Sequence, residues 1–135
     1  MSRKSVLIDV NLLLAVGWKS HTFHPEVKAW LDTGVKVSTC AITELGFLRV
    51  SMSPAFRADF ASASSVCSAI TSRYAFDFLP CDLSPLSMAS VSRHQDTTDS
   101  YLVSLASSHE LKLATLDDKL LSAEWGKGMA YNPIA

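Results

Sequence analysis

The chain has 135 residues, with 12 Lys plus Arg against 13 Asp plus Glu and a formal net charge of -1 at pH 7. This length suits one domain, expected to span residues 1–135, and the balanced charge excludes the strongly basic surface that drives unselective nucleic-acid binding. The apolar run from Leu12 to Val16 is much shorter than the roughly 20 residues of a membrane span, so we expect no membrane segment.

The three cysteines, Cys40, Cys67 and Cys81, are widely spaced and contain no C-x-x-C pair. An odd number of isolated cysteines is typical of free thiols and argues against a disulfide framework and against a zinc site. We therefore expect buried free thiols and a reducing, cytoplasmic location.

The first part of the chain predicts a strand, two helices and a second strand. Residues 5–8 are short, apolar and partly β-branched, which is typical of a buried parallel strand. Residues 11–17 are predicted to be helical. A further helix is predicted over residues 24–31, where Pro25 occupies a position whose missing N–H costs nothing. Residues 35–39 are the second predicted strand.

The rest of the chain continues the alternation of helices and strands. A helix is predicted over residues 41–52, with its apolar stripe formed by Ala41, Leu45, Leu48 and Met52. The following predicted elements are a helix over 55–74, a strand over 76–80, a short helix from Pro85, an amphipathic helix over 96–110, a strand over 112–116 and a fifth strand within 129–134. This alternation predicts an α/β fold with a parallel sheet covered on both faces, in which ligands bind at the carboxyl ends of strands.

Four acidic residues lie where such a domain would least tolerate an isolated charge. Asp9 and Asp117 each follow a predicted strand, and a buried carboxylate is costly unless it is hydrogen-bonded, paired or bound to a metal. Glu44 and Asp99 lie in the first turns of predicted helices, on the side of the apolar residues. If these carboxylates meet, each pair 4 Å apart repels by about 4 kcal/mol at an effective dielectric constant near 20.

Each acid taken alone also has an ordinary structural explanation. The helix dipole favours acids in a first turn, which accounts for Glu44 and Asp99, and Asp117 can cap the helix that follows it. These explanations do not account for two helical acids on apolar faces together with two acids at strand ends. A shared cluster of oxygen ligands would select Mg²⁺ or Mn²⁺ over zinc, and such ions promote phosphodiester hydrolysis.

Four segments in order, LIDVNLLLA, TELGFLRV, TTDSYLVSLA and LATLDDKL, resemble the PIN-domain family over nearly the whole chain. The resemblance is greatest to VapC-like ribonuclease toxins of type II toxin–antitoxin modules. It implies a three-layer α/β/α sandwich with a central, mainly parallel sheet. It also implies an Mg²⁺- or Mn²⁺-dependent endoribonuclease that uses metal-activated water. The implied partners are an RNA substrate, a cognate antitoxin and a second copy in a homodimer.

The same resemblance implies which residues form the site. The residues that match the four acids of the family, as catalytic residues and metal ligands, are Asp9, Glu44, Asp99 and Asp117. Supporting positions are matched by Asn11 and Thr115, and Asp118 is an alternative to Asp117 as the fourth acid. The resemblance leaves the RNA target, the antitoxin and the number of metal ions open.

Two other functions remain open from the sequence alone. One is an inactive PIN-like module that only binds a partner, although such a module would gain stability by losing its repelling carboxylates. The other is a haloacid-dehalogenase-like phosphatase, because acids follow two of the predicted strands. That family needs a second Asp where Asn11 stands, and it leaves Glu44 and Asp99 unexplained.

Basic and aromatic side chains near these motifs also have two interpretations. The basic residues that could contact phosphates are Arg49, Lys19, Lys112 and Lys119, but we expect most of them to be solvated and assign them no role. The residues that could stack on bases are Trp18, Trp30 and Trp125, for which we expect the core or a dimer interface.

Overall fold

Five parallel strands form the centre of the fold in a computed structural model that describes residues 5–135. Their order across the sheet is β3-β2-β1-β4-β5, and each neighbouring pair is parallel. The strands are β1 (Ser5–Ile8), β2 (Lys36–Cys40), β3 (Asp77–Leu79), β4 (Lys112–Ala114) and β5 (Ala130–Tyr131). The predicted parallel sheet is confirmed, and β1 occupies its middle.

Within residues 5–135, six helices connect and cover these strands. They are α1 (Val10–Gly17), α2 (His24–Asp32), α3 (Ala41–Ser51), α4 (Phe60–Arg73), α5 (Thr97–Ser108) and α6 (Asp118–Ser122). The longest, α4, has 14 residues. Among residues 5–135, no helix has both the length and the apolar character required to cross a bilayer.

The helices divide between the two faces of the sheet and enclose two hydrophobic cores. Ile8 and Val37 point to the core shared with helices α1 to α4, where Phe47 is fully buried. Leu7 and Leu113 point to the opposite core, beneath α5 and α6. Successive strand residues thus face opposite sides of the sheet, as a pleated strand requires. This two-sided burial confirms the predicted three-layer α/β/α sandwich.

Helix α1 is buried along most of its length, because each residue from Leu12 to Val16 is at most 7% exposed. Its end packs closely against α3, since a Cβ added at Gly17 would lie only 2.8 Å from Cε2 of Phe47. Phe47 also stacks against Trp18, with ring centroids 6.2 Å apart. This contact positions α3 beside the carboxyl end of β1.

Of the apolar stripe predicted for α3, Leu48 packs on the core, but most of the stripe turns away from it. Leu45 and Met52 of that stripe are 66% and 48% exposed, and Ala41 is exposed as well. Helix α3 follows β2 without a loop, and the Thr43 hydroxyl in its first turn donates a hydrogen bond to the Ile8 carbonyl at 3.0 Å. Because a hydrogen-bonded hydroxyl can be buried, this contact turns another face inward. The buried residues of α3 are Thr43, Phe47 and Ser51.

Several predicted element bounds also shift. Helix α4 begins at Phe60 instead of residue 55, because the Asp59 carboxylate caps it by accepting the N–H of Ser62 at 2.7 Å. The short helix predicted from Pro85 is a single 3-10 turn, Pro85–Ser87, and a second such turn, His94–Asp96, precedes α5.

The three cysteines are free thiols, but they differ in exposure. Cys40 and Cys67 are buried, as predicted, whereas Cys81 is exposed in the segment after β3. The prediction of burial is wrong for Cys81 because β3 lies at the edge of the sheet. Burial, followed by the nearby carboxylate of Glu44, raises the pKa of the Cys67 thiol to about 11.

Replacing Phe47 by Ala is expected to lower the free energy of unfolding by about 3–5 kcal/mol, because it leaves a cavity between α1 and α3. The matched control is Leu45→Ala on the exposed side of the same helix, for which a change within about 0.5 kcal/mol is expected. Urea denaturation followed by circular dichroism measures both. Equal losses in the two variants would contradict the observed orientation of α3.

Candidate active site

A cavity of about 380 Å³ opens where the carboxyl ends of β1 and β4 meet the first turn of α5. Asp9 directly follows β1, Asp117 lies just beyond β4, and Asp99 lies in the first turn of α5. All three line the cavity. The structure thus brings together three of the four acids that the sequence singles out.

Asp9 is the deepest of these acids, with only 4% of its surface exposed. Its Oδ1 accepts the backbone N–H of Val10 at 2.8 Å, and its Oδ2 accepts the hydroxyl of Thr115 at 2.7 Å. Burial raises the pKa of Asp9, and the Asp117 carboxylate adds to that rise, while the hydrogen bonds from Thr115 and Val10 lower it. The two hydrogen bonds hold the Asp9 carboxylate in one orientation.

Thr115 and Asn11 link the two strand ends that carry the acids. The Thr115 hydroxyl accepts hydrogen bonds from the Asp117 backbone N–H at 3.1 Å and from Asn11 Nδ2 at 3.2 Å, besides donating to Asp9. Asn11 Oδ1 accepts the backbone N–H of Leu116 at 3.1 Å. Both side chains therefore fix the segment that follows β4 relative to the end of β1.

Asp99 is half-buried and electrostatically coupled to its neighbours. Burial, and then the carboxylates of Asp9, Asp117 and Asp96, raise the pKa of Asp99 to about 6 from its ordinary value of 3.8. Carboxylates affect each other in this way only when they are close together. The cavity is therefore a place where negative charge accumulates and where a cation or a proton is stabilised.

Asp117 caps helix α6, which is the structural role that the sequence allows for it. Its Oδ1 caps α6 by accepting the backbone N–H groups of Lys119 at 3.0 Å and Leu120 at 3.3 Å. Its Oδ2 makes no hydrogen bond to any residue among 5–135. Capping α6 therefore leaves one carboxylate oxygen of Asp117 available to a ligand.

Glu44 lies outside this cavity, although the sequence places it with the other acids. It lines a separate cavity of about 270 Å³ beside α4, and it accepts the Thr39 hydroxyl at 2.6 Å. The residues of α3 that line the acid cavity are Ile42, Gly46 and Arg49. Residue 44 is rotated about 200° from residue 42 around the helix axis, so its side chain points to the other side of α3. Asp118 also lies elsewhere, in a neighbouring cavity of about 440 Å³.

The cavity also contains residues to which the sequence analysis assigns no role. Arg49 is the one basic residue of the described chain, 5–135, in its lining, and Gln95 and Thr98 add uncharged polar groups. Gly46 allows α3 to approach α1, since a Cβ at this position would lie 2.6 Å from Cγ2 of Val10. On α3, the residues that line the cavity are Ile42, Gly46 and Arg49. Their spacing places them on one side of the helix, but the sequence does not show which side of α3 faces the acids.

The chemistry of the lining fits a hard divalent cation. Its acidic groups are three carboxylates, and it contains neither a thiol nor an imidazole. Burial is the main cause of the raised pKa of Asp9 and Asp99, and neighbouring carboxylates add to it, so a positive partner would favour the ionised form of both acids. Within residues 5–135, however, no three or more His, Cys, Asp or Glu side chains are already arranged as a group that could hold a metal ion.

The chain is similar to several bacterial ribonucleases over most of its length. Ribonuclease VapC29 of Mycobacterium tuberculosis strain H37Rv is 36% identical over 121 residues, which cover 86% of this chain and 88% of the relative. Ribonuclease VapC38 of the same strain is 31% identical over 118 residues, covering 82% and 84%. Ribonuclease VapC39 is 32% identical over 127 residues, covering 86% and 91%. No family model matches the chain.

Replacing Asp99 by Asn is expected to raise the free energy of unfolding by about 1 kcal/mol at pH 8 without divalent cations, allowing for solvent screening of a half-buried group. The pKa of Asp99 in the folded state, about 6, exceeds its ordinary value of 3.8, so ionisation destabilises the folded protein as the pH rises through 6. The gain should therefore disappear as the pH falls towards 4.

Urea denaturation in EDTA between pH 4 and pH 8 measures this effect. Glu26→Gln, which removes an exposed acid from α2, is the control and should show no such dependence. An Asp99→Asn variant less stable than the wild type at pH 8 would contradict the coupling between the acids.

Replacing Thr115 by Val is expected to lower the free energy of unfolding by about 1–3 kcal/mol, because it removes a hydroxyl that three groups share and leaves Oδ2 of Asp9 without its donor. Thr115→Ser keeps the hydroxyl and should recover most of the loss. Chemical denaturation at neutral pH compares the two variants. A Thr115→Val variant as stable as the wild type would contradict the role given to the Thr115 hydroxyl.

Proposed function

The chain belongs to the VapC family of PIN-domain ribonucleases, and on this basis we propose that it is the toxin of a VapBC-like toxin–antitoxin system. In this proposal one PIN domain over residues 1–135, acting in the cytoplasm, cleaves RNA internally by hydrolysis of phosphodiester bonds. The observation that carries the proposal is the cavity in which Asp9, Asp99 and Asp117 come together.

The proposed cofactor is Mg²⁺ or Mn²⁺, held by Asp9, Asp99 and Asp117. When bound, such an ion would polarise a phosphoryl oxygen and activate the attacking water. The support for this cofactor is the all-oxygen donor set and the mutual repulsion of the three carboxylates. Glu44 has no part in the proposal, because it lies in another cavity.

The protein's own side chains supply position and charge. Asp9 is fixed by the Thr115 hydroxyl and the Val10 N–H, so a ligand meets a carboxylate that is already oriented. Arg49 also lines the cavity and is the proposed contact for a phosphate oxygen of the RNA backbone. Acids on one side and a guanidinium on the other would place a phosphodiester between them.

The proposed partners are the RNA substrate, a cognate antitoxin and a second copy of the chain in a homodimer. Large apolar side chains on the surface support an interface with other proteins, since such residues are enriched where proteins associate. The large apolar residues exposed on residues 5–135 are Phe23, Leu45, Met52, Phe60, Phe78, Leu86 and Met129. Leu45 and Met52 belong to the stripe of α3 that turns away from the core.

The test of the proposed function is incubation of the purified chain with total cellular RNA and Mg²⁺, followed by mapping of the cut ends. Discrete cuts are expected, and they should disappear when EDTA is added. Asp9→Asn should cut about 100-fold more slowly, because it removes a charged ligand from the site. The mapped ends also identify the class of RNA that is cleaved.

Two matched variants sharpen this assay. Glu44→Gln should retain most of the activity, because Glu44 lies outside the acid cavity, and Glu26→Gln controls for loss of an exposed acid. Undiminished cleavage by Asp9→Asn would overturn the assignment of the site. Cleavage that persists in EDTA would overturn the proposed cofactor.

A further inference from the structure

A second cavity, of about 440 Å³, adjoins the acid cavity on the side of α6. Two segments of the chain contribute residues to both cavities. Asp117 lines the acid cavity and Asp118 lines the second, while Asp99 lines the acid cavity and Asp96, one turn earlier, lines the second. The Asp96 carboxylate also contributes to the raised pKa of Asp99, which shows that the two cavities are close.

Four charged side chains line this second cavity. They are Arg93, Lys119, Asp96 and Asp118. Among residues 5–135, the ion pairs are Lys28 with Asp32, Lys36 with Asp77 and His109 with Asp82, so none of the four takes part in one. The Asp96 carboxylate does not cap α5 either. A ligand can therefore bind these groups without first breaking an ion pair within residues 5–135.

An indole ring completes the lining of the cavity. Trp125 packs partly against the core beneath α5 and α6, which holds the ring in place, and it lines the cavity as well. Trp18 differs, because it lies in the other core and its Nε1 donates to the Ser51 hydroxyl at 2.9 Å. A fixed aromatic ring that borders a cavity is suited to stacking on a nucleobase.

We propose that the second cavity binds a nucleotide of the RNA that flanks the bond to be cut, with its base on Trp125 and its phosphate on Arg93 and Lys119. This inference rests on the proposed ribonuclease function and extends it. Lys and Arg contacts position a nucleic-acid backbone, and aromatic rings hold unpaired bases. The second cavity therefore contains both basic side chains for the backbone and an aromatic ring for a base, and it lies next to the acid cavity.

The two carboxylates make the second cavity selective. Asp96 and Asp118 accept hydrogen bonds but donate none, so they favour a base that presents amino N–H groups on its edge. Cytosine, adenine and guanine carry such a group and uracil does not. The charges of Arg93 and Lys119 are balanced by these acids, which keeps backbone binding in this cavity weak unless a suitable base is present.

Tryptophan fluorescence tests the proposed stacking directly. In the Asp9→Asn background, which should cut RNA about 100-fold more slowly, a short single-stranded RNA of mixed sequence should quench the fluorescence before it is degraded. Trp125→Phe should remove most of that quenching, and Trp125→Ala should weaken RNA binding about 5- to 100-fold. Trp30→Phe, in the opposite core, is the control and should keep the quenching. Oligo(C) should bind more tightly than oligo(U), and Asp118→Asn should reduce that difference.

The cations are tested by steady-state cleavage with otherwise wild-type protein. Arg93→Gln and Lys119→Gln should raise KM several-fold with little change in kcat, because they contact RNA away from the bond that breaks. Each should also lower the salt dependence of binding by about 0.7 in the log–log slope for a single strand. Arg73→Gln at the end of α4 is the control and should leave KM unchanged. Circular dichroism confirms that each variant is folded.

The outcomes separate this inference from the proposed function. If the wild type cuts RNA but the variants of Trp125, Arg93 and Lys119 leave quenching and KM unchanged, the inference is wrong and the proposed function stands. If the same variants lose binding of the antitoxin and keep that of RNA, the second cavity is a protein-binding site and the inference is again wrong. If the wild type neither cuts nor binds RNA, both are overturned.

Discussion

The burial of a carboxylate at the end of the central strand is the constraint on which the site depends. Asp9 ends β1, is almost completely buried and has a raised pKa, so the folded protein must compensate for its charge. It does so with the Val10 N–H and with the Thr115 hydroxyl, which β4 brings alongside. The order of strands, with β1 between β2 and β4, is therefore also what makes the acid cavity.

Much of this arrangement is predictable because it follows from local patterns. Short apolar runs that end at polar residues identified β1 and β4, and parallel strands place such ends along one edge. Parallel strand ends therefore predict that Asp9 and Asp117 lie close together, and the amphipathic pattern of α5 predicts that Asp99 faces them. All three line the acid cavity. The resemblance to VapC-like proteins, which rests on the same segments, is confirmed by relatives that match most of the chain.

The remaining features depend on tertiary contacts that a pattern along the chain does not contain. The rotation of α3 is set by the hydrogen bond of Thr43 to Ile8 and by the close approach of Phe47 to Gly17, which leaves Glu44 beside α4. Arg49 enters the cavity for the same reason. A haloacid-dehalogenase-like phosphatase would need an acid at position 11. Asn11 is instead an amide, and its side-chain nitrogen and oxygen both hydrogen-bond to the segment that follows β4.

The distance along the chain between the two halves of the site has a consequence for the order of synthesis. Asp9 is held by a hydroxyl that lies 106 residues later in the sequence, and Asn11 contacts the same hydroxyl from 104 residues away. A nascent chain that has not yet extended through β4 lacks one of the two neighbours of β1 and the Thr115 hydroxyl that binds Asp9. Contacts so distant in sequence also form late in folding. A growing polypeptide on the ribosome thus carries no assembled acid cavity, which forms only once β4 has been made and pairs with β1.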